Sequence, residues 1–258
     1  MSNNTKNIII LSHGRCGTNF LCRIFSQYPC ISNNNEIAVD FPKQDNIYFF
    51  DKELRKNLHK HFPFPKKFNN FVDLARKICK KKFMLFKIFP NHLNGNGWNT
   101  IYQPNSIFIL LTRNHLDSYL SLAQAELYGS YYLENTTNYK IKFNEEFFEK
   151  LYERRKKNLN FINRVVKLYP DLQKKIYKIN YEDLILKDKK DFFINKILKN
   201  LNINQKIKTN YSLSFGKFKQ NKSTNFDFVL NKEEMINYMN NNHKRKEILE
   251  KSIYYKKS

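Results

Sequence analysis

The sequence predicts an α/β fold in which a parallel sheet lies between two layers of helices. Short runs of branched and aromatic apolar residues recur along the chain, and most are followed by a segment with the apolar spacing of a helix. Turn-rich or basic polar stretches separate these pairs. Strands that alternate with helices form βαβ units, and the sheet of such units is parallel and covered on both faces.

The apolar runs predict four strands, at residues 8–12, 83–89, 106–112 and 175–179. Helices are predicted at residues 18–27, 71–82, 116–127, about 144–168 and 189–201, with Pro170 just past the end of the fourth. Asn231 and Glu234 resemble a capping box that begins a last helix. Residues 211–230 have no clear period and are predicted to form a loop.

The length of 258 residues allows one substantial core, and the motifs are spread along nearly all of it. We therefore expect residues 1–258 to form a single domain. The first residues have too short an apolar run for a signal peptide, and no stretch of ~18 apolar residues could span a membrane. We expect a soluble, cytoplasmic protein.

The chain is strongly basic, with 46 Lys and Arg against 23 Asp and Glu and a formal net charge of +23. Such an excess favours anionic partners. Lys, Asn, Ile, Tyr and Phe are all abundant, as an AT-rich coding sequence would also produce, so the charge alone does not identify the partner. The four cysteines have no C-x-x-C spacing, and neither a zinc site nor a disulfide framework is indicated.

The stretch SHGRCGTNF joins the first predicted strand to the first predicted helix. A helix N-terminus carries unpaired N–H groups and a partial positive charge, so a glycine loop placed there can hold an anion. Gly14 and Gly17 allow a tight turn, Arg15 supplies a cation inside the loop, and Thr18 and Asn19 supply side-chain donors. The Gly-Lys-Ser/Thr of an ordinary P-loop is missing.

The stretch LLTRNHLDSYLS, residues 110–121, is a second candidate anion-binding element, and we call it and the SHGRCGTNF loop the two anion elements. Arg113 stands at the end of a predicted strand, and Ser118 and Ser121 lie three residues apart on one face of the helix that follows. Ligands of parallel sheets bind at the carboxyl ends of the strands. Two anion sites at that edge suit a nucleotide that carries phosphate at both its 5′ and 3′ ends.

These residues resemble the motifs of sulfotransferases that use 3′-phosphoadenylyl sulfate (PAPS). The first loop is similar to their 5′-phosphosulfate loop, of the R-x-G-T kind found in bacterial nodulation, glycolipid and tyrosylprotein types. Arg113 and Ser121, eight residues apart, are similar to their 3′-phosphate motif. The stretches YEDL at 181–184 and FGKFKQNKS at 215–223 are similar to two later motifs.

The resemblance implies a P-loop-type three-layer αβα fold, PAPS as co-substrate and no metal. It implies nucleotide-binding roles for Gly14, Arg15, Cys16, Gly17, Thr18, Asn19, Arg113, Ser118, Ser121, Lys219 and Gln220.

The resemblance also implies catalytic roles. Arg15 and Lys87 would stabilise the charge that develops during an in-line displacement. Glu36 follows Arg15 by 21 residues, the position of the glutamate base in the tyrosylprotein and bacterial carbohydrate types. Cytosolic phenol and steroid sulfotransferases instead use a histidine two residues after the lysine, where this chain has Phe89. His92 lies near that position but out of register, and it remains the alternative base.

We therefore expect an enzyme that moves a sulfuryl group from PAPS to a hydroxyl of a small-molecule or glycan acceptor, with a carbohydrate or glycolipid favoured by the loop type. Two alternatives stay open. One is a P-loop nucleotide-dependent kinase, against which the missing Gly-Lys-Ser/Thr counts. The other is a basic nucleic-acid-binding module, against which the lack of an aromatic-and-basic strand pattern counts, so no nucleic-acid partner is expected. The sequence identifies neither the acceptor nor the oligomeric state.

Overall fold

In the computed structural model, five parallel strands form one sheet with helices on both faces. The structure describes residues 5–34, 53–54, 68–90, 106–127, 140–204 and 226–255. In these ranges the strands are β1 (Lys6–Leu11), β2 (Ile31–Asn33), β3 (Phe83–Ile88), β4 (Ile107–Thr112) and β5 (Ile176–Asn180). The helices are α1 (Thr18–Ser26), α2 (Phe68–Ile78), α3 (His115–Leu127), α4 (Glu145–Leu168), α5 (Pro170–Lys175), α6 (Tyr181–Leu184), α7 (Lys187–Asn200), α8 (Lys232–Asn240) and α9 (His243–Glu250).

The strand order β2-β3-β1-β4-β5 puts β1 at the centre of the sheet. Its residue Ile8 pairs with Leu85 of β3 on one side and Ile107 of β4 on the other. Every pairing is parallel. The segments that follow β1, β3, β4 and β5 therefore all leave from the same edge of the sheet, as the sequence predicted.

Alternate residues of β1 point to opposite faces, which is the normal geometry of a strand. Ile8 and Ile10 belong to a core cluster that α1 and α7 cover, whereas Ile9 and Leu11 belong to a cluster that α2, α4 and α5 cover. Both faces are buried, which explains why β1 reads as a continuous apolar run rather than an alternating one. The predicted three-layer α/β fold is confirmed.

A third apolar cluster lies beyond the sheet. It joins Leu116, Tyr119 and Leu120 of α3 to the N-terminal half of α4 and to residues 226–254 near the C-terminal end of the chain. This cluster fixes α3, the helix that carries the second anion element, against the C-terminal helices α8 and α9.

The structure differs from the prediction in local ways. The short strand β2 was not predicted, because its three residues are too few to show a period. Pro170 lies just past the end of α4 as predicted, and it also begins the unpredicted helix α5, since proline is tolerated at the first helical position. Two C-terminal helices replace the single predicted one.

Asn231 does precede α8, but its side chain makes no capping bond to the helix backbone. The side-chain Oδ1 of Asn231 instead accepts from the backbone N–H of Phe143, and its side-chain Nδ2 donates to the Glu234 carboxylate. The predicted loop at 211–230 falls largely outside the described residues, and its last part contains the bridge between Ile141 and Val229. No helix among the described residues is long and apolar enough to cross a membrane.

Candidate anion-binding site

The loop after β1 turns sharply into α1 with two residues in the left-handed region. Arg15 has φ 66° and Gly17 has φ 82°. A Cβ at Gly17 would overlap the ring of Tyr181, so the close packing of this ring also requires glycine. A non-glycine residue rarely adopts a positive φ, so the backbone at Arg15 is held in a sparsely populated conformation.

Lys87 approaches the start of α1 from the neighbouring strand β3. It is 3% exposed, and its Nζ lies 2.8 Å from Asn19 Oδ1 and 3.4 Å from Thr18 Oγ1. The register of the sheet explains this position, because Lys87 shares its face with Leu85, which packs in the cluster that α1 covers. The structure thus brings the predicted lysine to the first helical turn.

The two anion elements contact each other directly. Arg15 Nε and Nη2 donate to Ser121 Oγ, at 3.1 and 3.0 Å. Arg113 Nη1 donates to the backbone carbonyl of Arg15 at 3.0 Å. Ser121 thus contacts the arginine of the first loop, and the sharing of an anion by Arg113, Ser118 and Ser121 stays a prediction. Ser118 is fully buried, and in the described part of the chain its Oγ has no partner.

Arg113 lies among acidic and aromatic side chains. Its guanidinium stacks on the Tyr181 ring at 4.5 Å from the centroid. Burial would lower the pKa of Arg113, but Tyr181, Tyr254, Asp117 and Glu182 raise it on balance. The guanidinium is therefore a permanent cation at the end of β4.

The helix after Arg113 is held by a buried acid. Asp117 is fully buried and accepts from the Ser252 hydroxyl and, at 3.1 Å, from the N–H of Ile253. Burial outweighs the attraction of Arg113 and raises the pKa of Asp117 to about 6. Asn114 adds a bond from its amide group to the Ile248 carbonyl at 2.8 Å. The C-terminal helices therefore support the second element.

A cavity of about 600 Å³ opens beside Arg113, a volume typical of small-molecule sites. The ends of β4 and β5, the start of α3 and the helix α9 bound it. Its lining includes Asn114, Asn180, Tyr152 and Lys244.

Three residues near the loop were not predicted to be functional. Arg155 of α4 is 3% exposed, and its Nη2 donates to the Gly14 carbonyl at 2.7 Å. His13 is buried beside it. Tyr181, to which we assigned no functional role, packs on Gly17 and Arg113. The YEDL stretch was a signal for Tyr181, whereas no local pattern marks Arg155.

Several predicted residues lie outside the described part of the chain. They are Glu36, Lys219, Gln220 and the alternative base His92. Within the described ranges, no group of three or more His, Cys, Asp and Glu side chains is placed to hold a metal ion.

Comparisons with known proteins identify the fold of the chain through solved structures. No protein-family model and no curated protein matches the sequence. Among solved structures, mouse sulfotransferase SULT7A1 in complex with PAP (adenosine 3′,5′-bisphosphate) is similar at TM-score 0.50 and 16% identity, over 97% of this chain and 86% of that one. The chain has the sulfotransferase fold.

A second solved structure gives the same fold. The sulfotransferase domain of the Synechococcus PCC 7002 olefin synthase is similar at TM-score 0.50 and 13% identity, over 80% of this chain and 76% of that one. In open parallel sheets, ligands bind at the carboxyl ends of the strands, and the two predicted anion elements lie at that edge. The nodulation and tyrosylprotein subtypes that the sequence resembles are a finer assignment, which remains a prediction.

Proposed function

We propose that the protein transfers a sulfuryl group from PAPS to a hydroxyl group of an acceptor. The observation that carries the proposal is the contact between Arg15 and Ser121, which joins the two anion elements into one site. PAPS has the matching chemistry, because it bears a 5′-phosphosulfate and a 3′-phosphate on one nucleoside.

The residues of the first loop suit the 5′ end of this nucleotide. The start of α1 presents unpaired N–H groups. Arg15 supplies a cation from the loop, and Lys87 supplies one from β3, where its Nζ donates to the side chains of Thr18 and Asn19 in the first turn of α1. Fixed cations and N–H groups of this kind stabilise charge that develops on the sulfuryl oxygens and on the departing phosphate.

The second element suits the 3′-phosphate. Arg113 is a permanent cation, and its Nε is buried without a partner among the described residues. Ser118 also has a buried hydroxyl that lacks a described partner. Buried polar atoms are nearly always hydrogen-bonded, so these two atoms fit a ligand or ordered water at this position.

The transfer requires a base in addition to these cations. The acceptor oxygen forms a bond to sulfur, the bond between sulfur and the 5′-phosphate oxygen breaks with its electron pair leaving on that phosphate, and the hydroxyl proton passes to the base. We propose Glu36 for this role, on the spacing from Arg15 in the sequence. The resemblance of the loop to nodulation and glycolipid types supports a carbohydrate or glycolipid hydroxyl as the acceptor.

Binding and transfer test the proposal separately. Titration calorimetry with adenosine 3′,5′-bisphosphate (PAP) should show binding, and purified protein that does not bind PAP would contradict the proposal. Arg15→Ala should lose both binding and transfer from labelled PAPS. The matched control is Arg164→Ala, which removes one positive charge from an exposed position of α4 and should leave both unchanged.

The base and the acceptor need their own variants. Glu36→Gln should retain PAP binding and lose transfer, and full activity would move the base to His92. Transfer to glycan rather than phenolic hydroxyls is the result expected for the acceptor class, and the opposite preference would overturn that part of the proposal.

A further inference from the structure

Arg155 is a buried cation that contacts a neutral group. It comes from the middle of α4, is 3% exposed, and donates to the Gly14 carbonyl from 141 residues away. In the described ranges no carboxylate lies within ion-pair distance of it. An unpaired buried charge is costly to the fold, so a contribution to stability does not account for Arg155.

Among the described residues, the neighbours of Arg155 include the Cys16 thiol, the imidazoles of His13 and His115 and the cations of Arg113 and Arg154. Burial, and then the charge of Arg155, lower the pKa of His13 to about 3 and that of His115 to about 4. Both imidazoles are therefore neutral at pH 7. Nη1 of Arg155 and both ring nitrogens of His13 lack partners among the described residues. The region behind the loop thus carries net positive charge.

The contact with Gly14 also orients the peptide that follows. In a trans peptide the carbonyl and the next N–H point in opposite directions, and no cis bond occurs in the described ranges. Since Arg155 holds the Gly14 carbonyl towards α4, the N–H of Arg15 points away from α4. Arg113 holds the Arg15 carbonyl in the same way, which turns the N–H of Cys16 away from Arg113.

We propose that Arg155 is a positioning residue for the sulfuryl transfer proposed above. It fixes the Gly14–Arg15 peptide with its N–H facing the anion, and it adds positive potential behind the loop. The inference rests on the proposed function, because the anion it serves is the 5′-phosphosulfate of PAPS. Arg155 itself does not touch the nucleotide in this arrangement.

Arg155→Met separates this role from a structural one. Methionine fills similar volume without charge, and the substitution removes the desolvation cost of an unpaired buried charge. We expect the urea midpoint without nucleotide to be kept or raised. We expect PAP affinity to fall about tenfold, as for loss of a hydrogen bond from a charged group. The KM for PAPS should rise while the KM for the acceptor stays constant.

Arg245→Met is the matched control. Arg245 is a buried arginine of α9 that packs on α4. Its Nη2 lies 2.5 Å from Glu149 Oε2, and its guanidinium carbon lies 3.6 Å from the centroid of the Tyr152 ring. It does not touch the loop among its described contacts. Its loss leaves Glu149 without its cation, so we expect a lower urea midpoint and a smaller fall in PAP affinity than Arg155→Met causes. The urea midpoint should therefore separate the two variants, because Arg155→Met keeps or raises it and Arg245→Met lowers it.

Two further variants identify which contribution matters. Arg155→Lys keeps the charge, and we expect it to recover part of the lost affinity. Wild-type affinity in Arg155→Met would overturn the inference, and Arg155→Gln decides in the same way if the methionine variant does not fold. Failure of the wild-type protein to bind PAP would instead overturn the proposed function.

Discussion

The two anion elements are supported by different parts of the chain. The first loop is held through its own backbone, since the carbonyls of Gly14 and Arg15 accept bonds from Arg155 and Arg113. The second element is held through a buried side chain, Asp117, whose carboxylate accepts a hydrogen bond from Ser252 in the C-terminal segment.

This difference has a consequence for function. The direction of a backbone N–H is set by the turn, so the proposed anion contacts of the first element depend on turn geometry as well as on the Arg15 side chain. The second element depends on side chains whose positions are set by residues about 135 apart in the chain. Substitutions should therefore affect the first element through backbone shape and the second through distant packing.

The largest effect is expected for Gly17→Ala. The new Cβ would overlap the Tyr181 ring, and alanine would also occupy a left-handed φ of 82°. We expect a loss of about 3 kcal/mol in the free energy of unfolding, with PAP binding abolished in calorimetry. Gly14→Ala is the control, because a Cβ there meets nothing within 4 Å. Equal effects of the two substitutions would contradict this account of the turn.

Lowering the pH should change the free energy of unfolding in opposite directions through the two buried histidines and through Asp117. The pKa values of His13 and His115, about 3 and about 4, lie below the ordinary value of 6.5. The unfolded chain thus binds more protons, and stability is lost as the pH falls below 6.5. The raised pKa of Asp117, about 6, has the reverse effect, because the folded state takes up its proton first.

The histidine effect should dominate. Burial lowers the pKa of two histidines by more than it raises the pKa of one aspartate. The free energy of unfolding should therefore fall by about 3 kcal/mol between pH 7 and pH 4. Urea unfolding at the two pH values measures it. His13→Gln should reduce the fall, and Asp117→Asn should enlarge it. An unchanged slope in His13→Gln would show that this imidazole does not titrate as its burial implies.

Ser252→Ala tests the distant support of the second element. Removing the hydroxyl leaves the buried carboxylate of Asp117 with one donor fewer, which should cost about 2 kcal/mol. If the second element binds the 3′-phosphate, affinity for PAP should fall more than affinity for adenosine 5′-monophosphate, which lacks that group. Ser252→Thr keeps the hydroxyl and should behave as wild type. An equal fall for both nucleotides would place the damage in the first loop.

The smallest effect is expected at the start of α4, where the substitution removes one capping hydrogen bond and leaves the backbone contacts of Asn144 with Tyr119 in place. Asn144 Oδ1 accepts from the N–H of Phe147 at 2.8 Å and caps the helix. Asn144→Ala should cost about 1 kcal/mol in urea unfolding and leave PAP affinity unchanged, while Asn144→Asp should retain stability. A loss of affinity would mean that the position of Arg155 depends on the whole helix.

The first element was predictable in detail because its signals are local. A buried strand, a glycine turn and a helical period follow one another within about twenty residues, and the structure contains them at the predicted places. Lys87 was predictable through its resemblance to known motifs, and the register of β3 with β1 places it at the loop.

The support of both elements was not predictable in the same way. Arg155 appears in the sequence as one cation in a basic helix, and its neighbours Arg154 and Lys156 are exposed. Ser252 lies in a segment without a motif. The short strand β2 and the separate helix α9 also lack a sustained period.

By itself, the sequence determined the alternation of strands and helices, the glycine loop and the two cation-bearing strand ends, because hydrophobic period and turn chemistry act between near neighbours. Only the tertiary structure decided that Arg155 reaches Gly14, that Tyr181 packs on Gly17 and that Ser252 caps Asp117. These contacts join residues far apart in the chain, and their partners are chosen by the packing of helices on the sheet rather than by any local pattern.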